Sequence, residues 1–427
     1  MNERDSEAVI CNLLEGGYEI TDHEENADII LLNTCSVREK AEQKAIGKAA
    51  RILNNASNKK PTVGILGCMA QNRGETLFQE LPGLALVVGT QKFHKVAGLL
   101  DKVKNQDQVL DLGKEHGSQN EIKHHVQKGN GPSAFVSIMQ GCNMNCTFCI
   151  VPKTRGSERY RPMQEILDEI KQLAEIGIKE VTLLGQIVNA YGRGEFSRVG
   201  GKSPFVQLLE EISAIRGILR IRFTSPHPTA YGDDLIDAFE SLPKLGKYAH
   251  LPMQSGSNRI LKAMNRPYKI EKFLTIVDRL RSKVPGMRLS TDVIVGFPGE
   301  SIEDFELTKK AFIEAGFEMG FIFKYSDRSG TPSVQFEDKV EKPELERRNQ
   351  DLLKLLEKQS HHSNQGLVGK EQEILVEGVA RKGDGKLMGR TPCFRKVYFT
   401  GNHSLIGEVK NVKITKVSSS SLFGDLI

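Results

Sequence analysis

The chain has 427 residues, 39% hydrophobic and 26% charged, with a formal net charge of +5. This length predicts about three domains, each able to bury its own core. No apolar run is long enough to cross a bilayer, and residues 1–7 lack a secretory or transit signal, so we exclude a membrane role and expect a cytoplasmic protein. Seven cysteines, three of them clustered, favour a reducing compartment and metal ligation over disulfides.

Residues 1–112 alternate short apolar strands with amphipathic helices, which predicts an open α/β domain. The predicted strand 27–34 ends at Cys35, and the predicted strand 61–67 ends at Cys68. Ligands bind at the carboxyl ends of the strands in such sheets. The two cysteines together therefore favour a metal site, whereas either alone would suit a buried core position.

Residues 113–132 are polar, lack an apolar period and predict a linker. Residues 133–364 then repeat a strand–helix unit six times, which predicts a partial parallel (β/α)6 barrel. The predicted strands are 134–139, 180–184, 218–224, 248–253, 288–295 and 318–325. Polar or glycine-rich clusters follow them, and chemistry in parallel barrels is located at these strand ends.

Three cysteines follow the first of these strands with the spacing C-x3-C-x2-C: Cys142, Cys146 and Cys149. Cysteine thiolates are the usual ligands of iron–sulfur clusters, and three thiolates on a four-iron cluster leave one iron open. The alternative is a zinc knuckle. Zinc needs a fourth ligand, and no His or Cys lies between Cys149 and the next predicted helix.

After a charged helix at 342–362, residues 365–427 show short strands at 373–379, 396–399 and 407–417, separated by glycines, which predict a small antiparallel β-barrel. The barrel is basic, so its cations predict either a phosphate-tracking surface or an ordinary solvated face. The clustered cations are Arg381, Lys382, Lys386, Arg390, Arg395 and Lys396.

The run from Cys149 to Arg159 (CIVPKTRGSER) resembles the MiaB-type methylthiotransferases, a branch of the radical S-adenosylmethionine (SAM) enzymes. The resemblance spans nearly the whole chain. Further matching runs are 33–38 (NTCSVR), 67–71 (GCMAQ), 183–186 (LLGQ), 224–228 (TSPHP), 250–257 (HLPMQSGS) and 292–300 (DVIVGFPGE). The family's order is a methylthiotransferase domain, a radical SAM domain and an RNA-binding TRAM barrel, matching the three predicted segments.

The resemblance implies addition of a methylthio group to carbon 2 of N6-isopentenyladenosine at position 37 of tRNA. It also implies SAM, two 4Fe-4S clusters, an electron donor such as flavodoxin or ferredoxin, and a monomeric enzyme. Cys142, Cys146 and Cys149 would hold the SAM-cleaving cluster, and Cys35 and Cys68 would bind the sulfur-donating one. The implied SAM-pocket residues are Gly185, Gln186, Gln254, Ser255, Val295 and Gly296.

One departure concerns the second cluster. The family has a third cysteine two residues ahead of a Met-Asn-x-x-Asp-Ser-Glu run, and here that run begins the chain at Met1. We expect a start assigned too far downstream, so that the amino-terminal domain also lacks the family's first strand. In the chain as written we expect labile loading of the second cluster and poor methylthiolation, with SAM cleavage retained. Cys11 lies in an apolar helical pattern and is interpreted as a core residue, as is Cys393 in the basic barrel.

Other acceptors are open within the family: threonylcarbamoyladenosine in tRNA, or an aspartate of a small-subunit ribosomal protein. The run 154–159 and the basic barrel favour isopentenyladenosine. Tyr160 stands where the family more often has a small residue. From a different class, the chain could be a noncatalytic RNA-binding protein with a structural cluster, which SAM cleavage would distinguish.

Overall fold

The computed structural model describes all residues except 37–38, 56–59, 123–124, 126–130 and 382–384. The chain forms two compact units. The first contains residues 1–128, 137–161 and 328–334, and the second contains 129–136, 162–327 and 335–427. Among the described helices, none combines the length and apolarity needed to cross a bilayer.

The strands, in chain order, are β1 Ile29–Thr34, β2 Thr62–Gly67, β3 Leu86–Val88, β4 Val109–Asp111, β5 Ser133–Ser137, β6 Met139–Gln140, β7 Arg159–Tyr160, β8 Glu180–Leu184, β9 Arg220–Phe223, β10 Tyr248–His250, β11 Arg288–Val295, β12 Met319–Lys324, β13 Glu371–Val379, β14 Leu387–Arg390, β15 Lys396–Phe399, β16 Val409–Val417 and β17 Leu422–Leu426. The helices are α1 Asn2–Glu15, α2 Glu39–Leu53, α3 Cys68–Arg73, α4 Thr76–Glu80, α5 Val96–Val103, α6 Val151–Arg155, α7 Met163–Glu175, α8 Pro204–Ala214, α9 Asp233–Ser241, α10 Asn258–Ala263, α11 Ile270–Lys283, α12 Ile302–Ala315 and α13 Lys342–Gln365.

The first unit contains a parallel sheet of order β1-β2-β3-β4, which confirms the predicted open α/β arrangement. Helices cover both faces. Side chains of α1 and α5 pack with Leu66, Leu86 and Val88 on one face, and side chains of α2, α3 and α4 pack with Val63 and Ile65 on the other. Burial on both faces explains why the strands are almost continuously apolar in sequence.

The second unit confirms the predicted partial parallel barrel. Two three-stranded sheets, β5-β8-β9 and β10-β11-β12, are linked by a parallel bridge between Ile221 and Leu245. The observed β8 and β11 have the predicted bounds. Local signals begin several helices: Ser203 accepts from the Val206 N–H at α8, and Ser301 forms a reciprocal capping box with Asp304 at α12.

The carboxyl-terminal strands form a closed barrel of order β13-β14-β15-β17-β16, as predicted. Pairing is antiparallel except between β15 and β17, which run parallel. The sequence pattern missed β14 and β17, because a glycine interrupts each of them and glycine weakens a strand signal. Their inward residues Leu387 and Leu422 are fully buried in the barrel core.

The predicted basic surface of this barrel is wrong for two of its six cations. Arg395 is buried, donates to Asn364 Oδ1 at 3.0 Å and forms an ion pair with Glu318. Arg390 forms an ion pair with Glu377. These two arginines therefore pair with carboxylates of the second unit and do not belong to an exposed basic surface. Exposed side chains are those of Arg381, Lys386 and Lys396, while Lys382 lies outside the described residues.

The amino ends of the barrel strands form a buried charge cluster with the loop between β14 and β15. The Glu180 carboxylate lies 2.9 Å from Arg222 Nε and 3.4 Å from Arg220 Nη1. Arg222 also donates to the carbonyl oxygens of Thr391 at 2.8 Å and Pro392 at 3.1 Å. Only 3% of the Arg222 and Glu180 side chains is exposed, so these charges are satisfied within the protein.

Phe394 completes this cluster. Its φ of 66° lies in the left-handed region, which a bulky residue rarely adopts. Its ring centroid lies 4.8 Å from the guanidinium carbons of both Arg222 and Arg390, and 5.0 Å from the Tyr248 ring. The Phe394 carbonyl accepts a hydrogen bond from Arg288 at 3.1 Å. The loop thus closes the amino-terminal side of the strands.

Candidate functional site

The three-cysteine segment, residues 142–149 of the first unit, begins in a close backbone contact. Gly141 has a φ of 83°, and a Cβ there would lie 1.9 Å from the Ser157 carbonyl oxygen. No residue with a side chain fits this contact. The next residue, Cys142, donates its N–H to the Gly156 carbonyl at 3.0 Å. The turn that starts the segment is therefore fixed by the backbone carbonyls of Gly156 and Ser157.

Glu158 holds the segment from the other side. The Asn143 N–H donates to Glu158 Oε1 at 3.1 Å, and the Glu158 N–H donates to Asn143 Oδ1 at 3.0 Å. Tyr160 donates its hydroxyl to Glu158 Oε2 at 2.6 Å. Tyr160, which stands where the family more often has a small residue, therefore orients the Glu158 carboxylate, and this carboxylate anchors the cysteine segment.

The thiols of the segment share one neighbourhood. Cys142 and Cys146 are buried, and Cys149 is half-buried. Burial raises the pKa of Cys142 to about 12, and negative charge on Cys149 and Cys146 acts in the same direction. A hydrogen bond from the Met144 N–H at 3.4 Å acts in the opposite direction and lowers this pKa. Thiolates here need a cationic group, and a bound metal stabilises thiolates in this way. This chemistry fits an iron–sulfur cluster.

Within the described residues, no three His, Cys, Asp or Glu side chains are arranged around a single metal ion. A four-iron cluster places each thiolate on a different iron, so its three ligands need not converge on one point. The three thiols can therefore serve as cluster ligands in the arrangement observed.

Cys35 and Cys68 lie at the ends of neighbouring strands, as predicted. The parallel register of β1 and β2 pairs Thr34 with Gly67, so the two cysteines follow paired positions. Gly67 has a φ of 92°, and a Cβ there would lie 2.5 Å from Asn33 Oδ1. A side chain at residue 67 would therefore clash with the end of β1, and glycine allows the two strand ends that precede Cys35 and Cys68 to lie side by side.

Arg155 is a residue of this site that the sequence patterns did not identify. Its guanidinium is buried and lies 2.5 Å from Asp5 Oδ2, and its Nη1 has no hydrogen-bond partner in the described part of the chain. Burial alone would lower the pKa of Arg155, but the negative charges of Asp5 and Cys68 raise this pKa above its ordinary value. A permanent cation thus lies beside the Cys68 sulfur. Its partner Asp5 is 150 residues away in sequence, and no local signal links the two.

The predicted SAM-pocket residues all lie in the second unit, at or just beyond the carboxyl ends of β8, β10 and β11. Gln254 has a φ of 67° and pairs with Val293, and its buried Oε1 has no hydrogen-bond partner among the described residues. Ser255 is fully buried with its hydroxyl 3.2 Å from Thr308 Oγ1. The Gly296 N–H donates to Glu300 Oε2 at 2.7 Å. Gln254 thus keeps an acceptor for a ligand, whereas these groups of Ser255 and Gly296 already have partners.

The remaining members of the predicted set are Gly185, Gln186 and Val295. Gly185 and Val295 are buried and Gln186 is half-buried. The strand ends are joined in pairs. The Ile294 N–H donates to the Gln254 carbonyl at 3.0 Å, which links the segments at β10 and β11, and the Val188 N–H donates to the Ser225 carbonyl at 3.2 Å, which links the segments after β8 and β9.

His227 follows β9 at the same side of the sheet. The residue is 4% exposed, and its Nδ1 lies 2.7 Å from Thr229 Oγ1. Burial, with the nearby charges of Arg266 and Arg193, lowers the pKa of His227 to about 3. The imidazole is therefore neutral at physiological pH.

Family profiles match three parts of the chain. Residues 136–312 match the radical SAM superfamily, residues 1–89 match the uncharacterized protein family UPF0004, and residues 365–427 match the TRAM domain. The three matches follow the order of the three predicted segments.

Several curated relatives share the name tRNA-2-methylthio-N(6)-dimethylallyladenosine synthase. The protein from Opitutus terrae is 50% identical, over 100% of this chain and 95% of its own length. The protein from Akkermansia muciniphila is 46% identical over 99% and 96%, and one from Clostridium botulinum is 42% identical over 100% and 95%.

Among solved structures, the chain is similar to the radical S-adenosylmethionine methyltransferase TsrM from Kitasatospora setae with cobalamin and a [4Fe-4S] cluster bound. The TM-score is 0.53 at 13% identity, covering 76% of this chain and 68% of TsrM. The form of TsrM with tryptophan and a SAM analogue bound gives a TM-score of 0.51. These likenesses show the radical SAM fold.

Proposed function

Because the chain belongs to the family of tRNA-2-methylthio-N(6)-dimethylallyladenosine synthases, we propose that it adds a methylthio group to carbon 2 of N6-dimethylallyladenosine at position 37 of tRNA. The observation that carries the proposal is the fixed segment with Cys142, Cys146 and Cys149, whose buried thiols suit a 4Fe-4S cluster with SAM. When bound, this pair supplies the radical chemistry that an unreactive adenine C–H bond requires.

The chain's own residues would position and shield this chemistry. Gly141 and Glu158 hold the cysteine segment in shape, and the open acceptor on Gln254 would contribute to SAM binding with the other predicted pocket residues. Exposed cations of the TRAM barrel would contact the tRNA backbone through charge. A small electron carrier such as flavodoxin or ferredoxin would reduce the cluster, and the enzyme would work as a cytoplasmic monomer.

We further propose that Cys35 and Cys68 contribute ligands to a second 4Fe-4S cluster, which provides the sulfur. Their paired positions and the adjacent Arg155 guanidinium support this assignment, because a buried cation beside Cys68 would offset the negative charge of a cluster held by cysteine ligands. Substitution of Cys35 by Ala should lower the iron and sulfide content while SAM cleavage to 5'-deoxyadenosine persists. Equal loss of both would argue that the cysteine serves the fold instead.

The acceptor is tested by mass spectrometry of tRNA nucleosides from cells with and without the gene. We expect loss of the methylthio-dimethylallyl nucleoside and accumulation of its precursor, restored by the wild-type gene and by Cys11→Ala but not by Cys149→Ala. Cys11 is a matched control, since it lies on α1 away from both predicted cysteine sites in sequence. Loss of a methylthio-threonylcarbamoyl nucleoside instead would identify the alternative acceptor.

A further inference from the structure

A partly exposed patch lies on the sheet β10-β11-β12, on the face that the apolar core residues do not use. Along β11, Leu289, Val293 and Val295 are fully buried, whereas Asp292 and Ile294, on the alternate positions, are half-buried. Side chains alternate between the two faces of a strand. Asp292 and Ile294 therefore share the face opposite to these core residues.

The neighbouring strand β12 adds two aromatic rings to this face. The parallel register pairs Asp292 with Phe321 and Ile294 with Phe323. The opposite face of β12 is covered by α13, because a Cβ on Gly320 would lie 3.7 Å from Leu356. Phe321 is 44% exposed, and its ring is stacked with Phe323 at 6.2 Å between centroids and 13° between planes.

His250 of β10 completes the patch. Its Nε2 lies 3.2 Å from Asp292 Oδ2, and its Nδ1 lies 2.7 Å from Ser290 Oγ. Ser290 in turn lies 2.6 Å from the Tyr248 hydroxyl, so the imidazole and the carboxylate are held in fixed orientations. The Asp292 side chain is 25% exposed, and a carboxylate has lone pairs for more than one donor. It can therefore accept a further hydrogen bond from a ligand.

These groups have the chemistry of a nucleobase site. An exposed aromatic ring offers a stacking surface for a flat base, and proteins recognise single-stranded RNA in this way. A carboxylate accepts N–H donors and repels phosphate, so the patch suits the base rather than the backbone of an RNA. Ile294 and Phe323 provide apolar surface at the next register positions, which an alkyl substituent on the base can cover.

We propose that the patch His250, Asp292, Ile294, Phe321 and Phe323 binds the acceptor adenine, with the base stacked on Phe321 and its exocyclic N6–H donated to Asp292. The dimethylallyl group then lies against Ile294 and Phe323. This inference rests on the proposed function, because it takes its ligand from the acceptor proposed there. It assigns base recognition to one sheet face of the second unit.

The test measures binding of anticodon stem-loop RNAs with N6-dimethylallyladenosine, or an abasic site, at the acceptor position. Because a base stacked on an aromatic ring loses that contact when the ring is removed, Phe321→Ala should weaken binding of the modified RNA roughly tenfold and leave the abasic RNA nearly unchanged. Asp292→Asn should show the same contrast with a loss of roughly three- to tenfold. Asp237→Asn and Ile313→Ala, on α9 and α12, are matched controls for charge and exposed apolar area and should bind like the wild type.

Equal weakening of both RNAs by Phe321→Ala and Asp292→Asn, or no weakening, would overturn the proposal. Phe321→Leu keeps apolar area and provides the same contrast if the alanine variant does not fold. If wild-type protein methylthiolates tRNA while Phe321→Ala keeps the wild-type ratio of affinities for modified and abasic RNA, the patch assignment fails and the proposed function stands. If wild-type protein loaded with both clusters forms neither 5'-deoxyadenosine nor a methylthio nucleoside with any RNA, the proposed function fails.

Discussion

The two ends of the parallel strands in the second unit use polar residues in different ways. At the amino ends, Glu180, Arg220 and Arg222 are almost wholly buried and bonded to one another and to the loop 391–395. Beyond the carboxyl end of β10, Gln254 keeps an acceptor without a partner among the described residues, and midway along β11 and β12, Asp292 and Phe321 keep exposed surface. The charges at one end therefore join the C-terminal barrel to the sheet, and the other end keeps its polar groups available for ligands, as parallel barrels generally do.

The largest loss of stability should come from removing Arg222, the central cation of the buried cluster at the amino ends of the strands. Arg222→Ala leaves the buried Glu180 carboxylate with Arg220 alone at 3.4 Å and leaves the Thr391 carbonyl without its donor. Removing one partner of a buried pair costs about 3–5 kcal/mol. Urea denaturation should show this loss, whereas Arg198→Ala, which removes a side chain that is 60% exposed, should lose less than about 1 kcal/mol. Equal losses would mean that the closed end is not a stabilising cluster.

A smaller effect should follow from Phe394→Ala. The substitution removes one ring contact with Tyr248 and two cation–π contacts, with Arg222 and Arg390. Together these contribute about 2 kcal/mol. The measurement is the free energy of unfolding of the full chain. An unchanged value would show that the loop is held by its backbone hydrogen bonds alone.

The smallest predicted effect concerns pH at the carboxyl end. The pKa of His227 is about 3 in the folded protein, below its ordinary value of 6.5, so the unfolded chain binds more protons between these values. Stability should therefore fall as pH decreases below 6.5, by about 1 kcal/mol between pH 7 and pH 5.5. His227→Gln should flatten that part of the stability profile. An identical slope in both proteins would contradict a neutral buried imidazole.

The sequence predicted the features that depend on local pattern. Strand positions, the three-cysteine spacing and the placement of Cys35 and Cys68 at strand ends all follow from residues close together in the chain. The Arg155–Asp5 pair, and the inward pairing of Arg390 and Arg395, depend on contacts between residues distant in the chain or on neighbouring strands. Charge clustering in sequence cannot reveal such contacts, because a cation near others in the chain can still pair inward with a carboxylate elsewhere.

The exposed end of the sheet is also a long-range feature. Asp292 is within a recognisable run, but its proximity to His250 and Phe321 comes from strand pairing. Periodicity placed β12 correctly to within one residue at each end but gave no reason to single out its aromatic rings. Strand register was the missing information.

The segment with Cys142, Cys146 and Cys149 should support SAM cleavage directed at an N6-alkylated adenosine. The decisive experiment is an anaerobic reaction of cluster-loaded protein with dithionite, SAM and an anticodon stem-loop carrying N6-dimethylallyladenosine, in which 5'-deoxyadenosine and methylthio nucleoside are both quantified. Wild-type protein should form 5'-deoxyadenosine, together with the methylthio product to the extent that its second cluster is loaded, and Cys146→Ala should form neither. A fully loaded wild-type protein that forms no 5'-deoxyadenosine would contradict this role of the three cysteines.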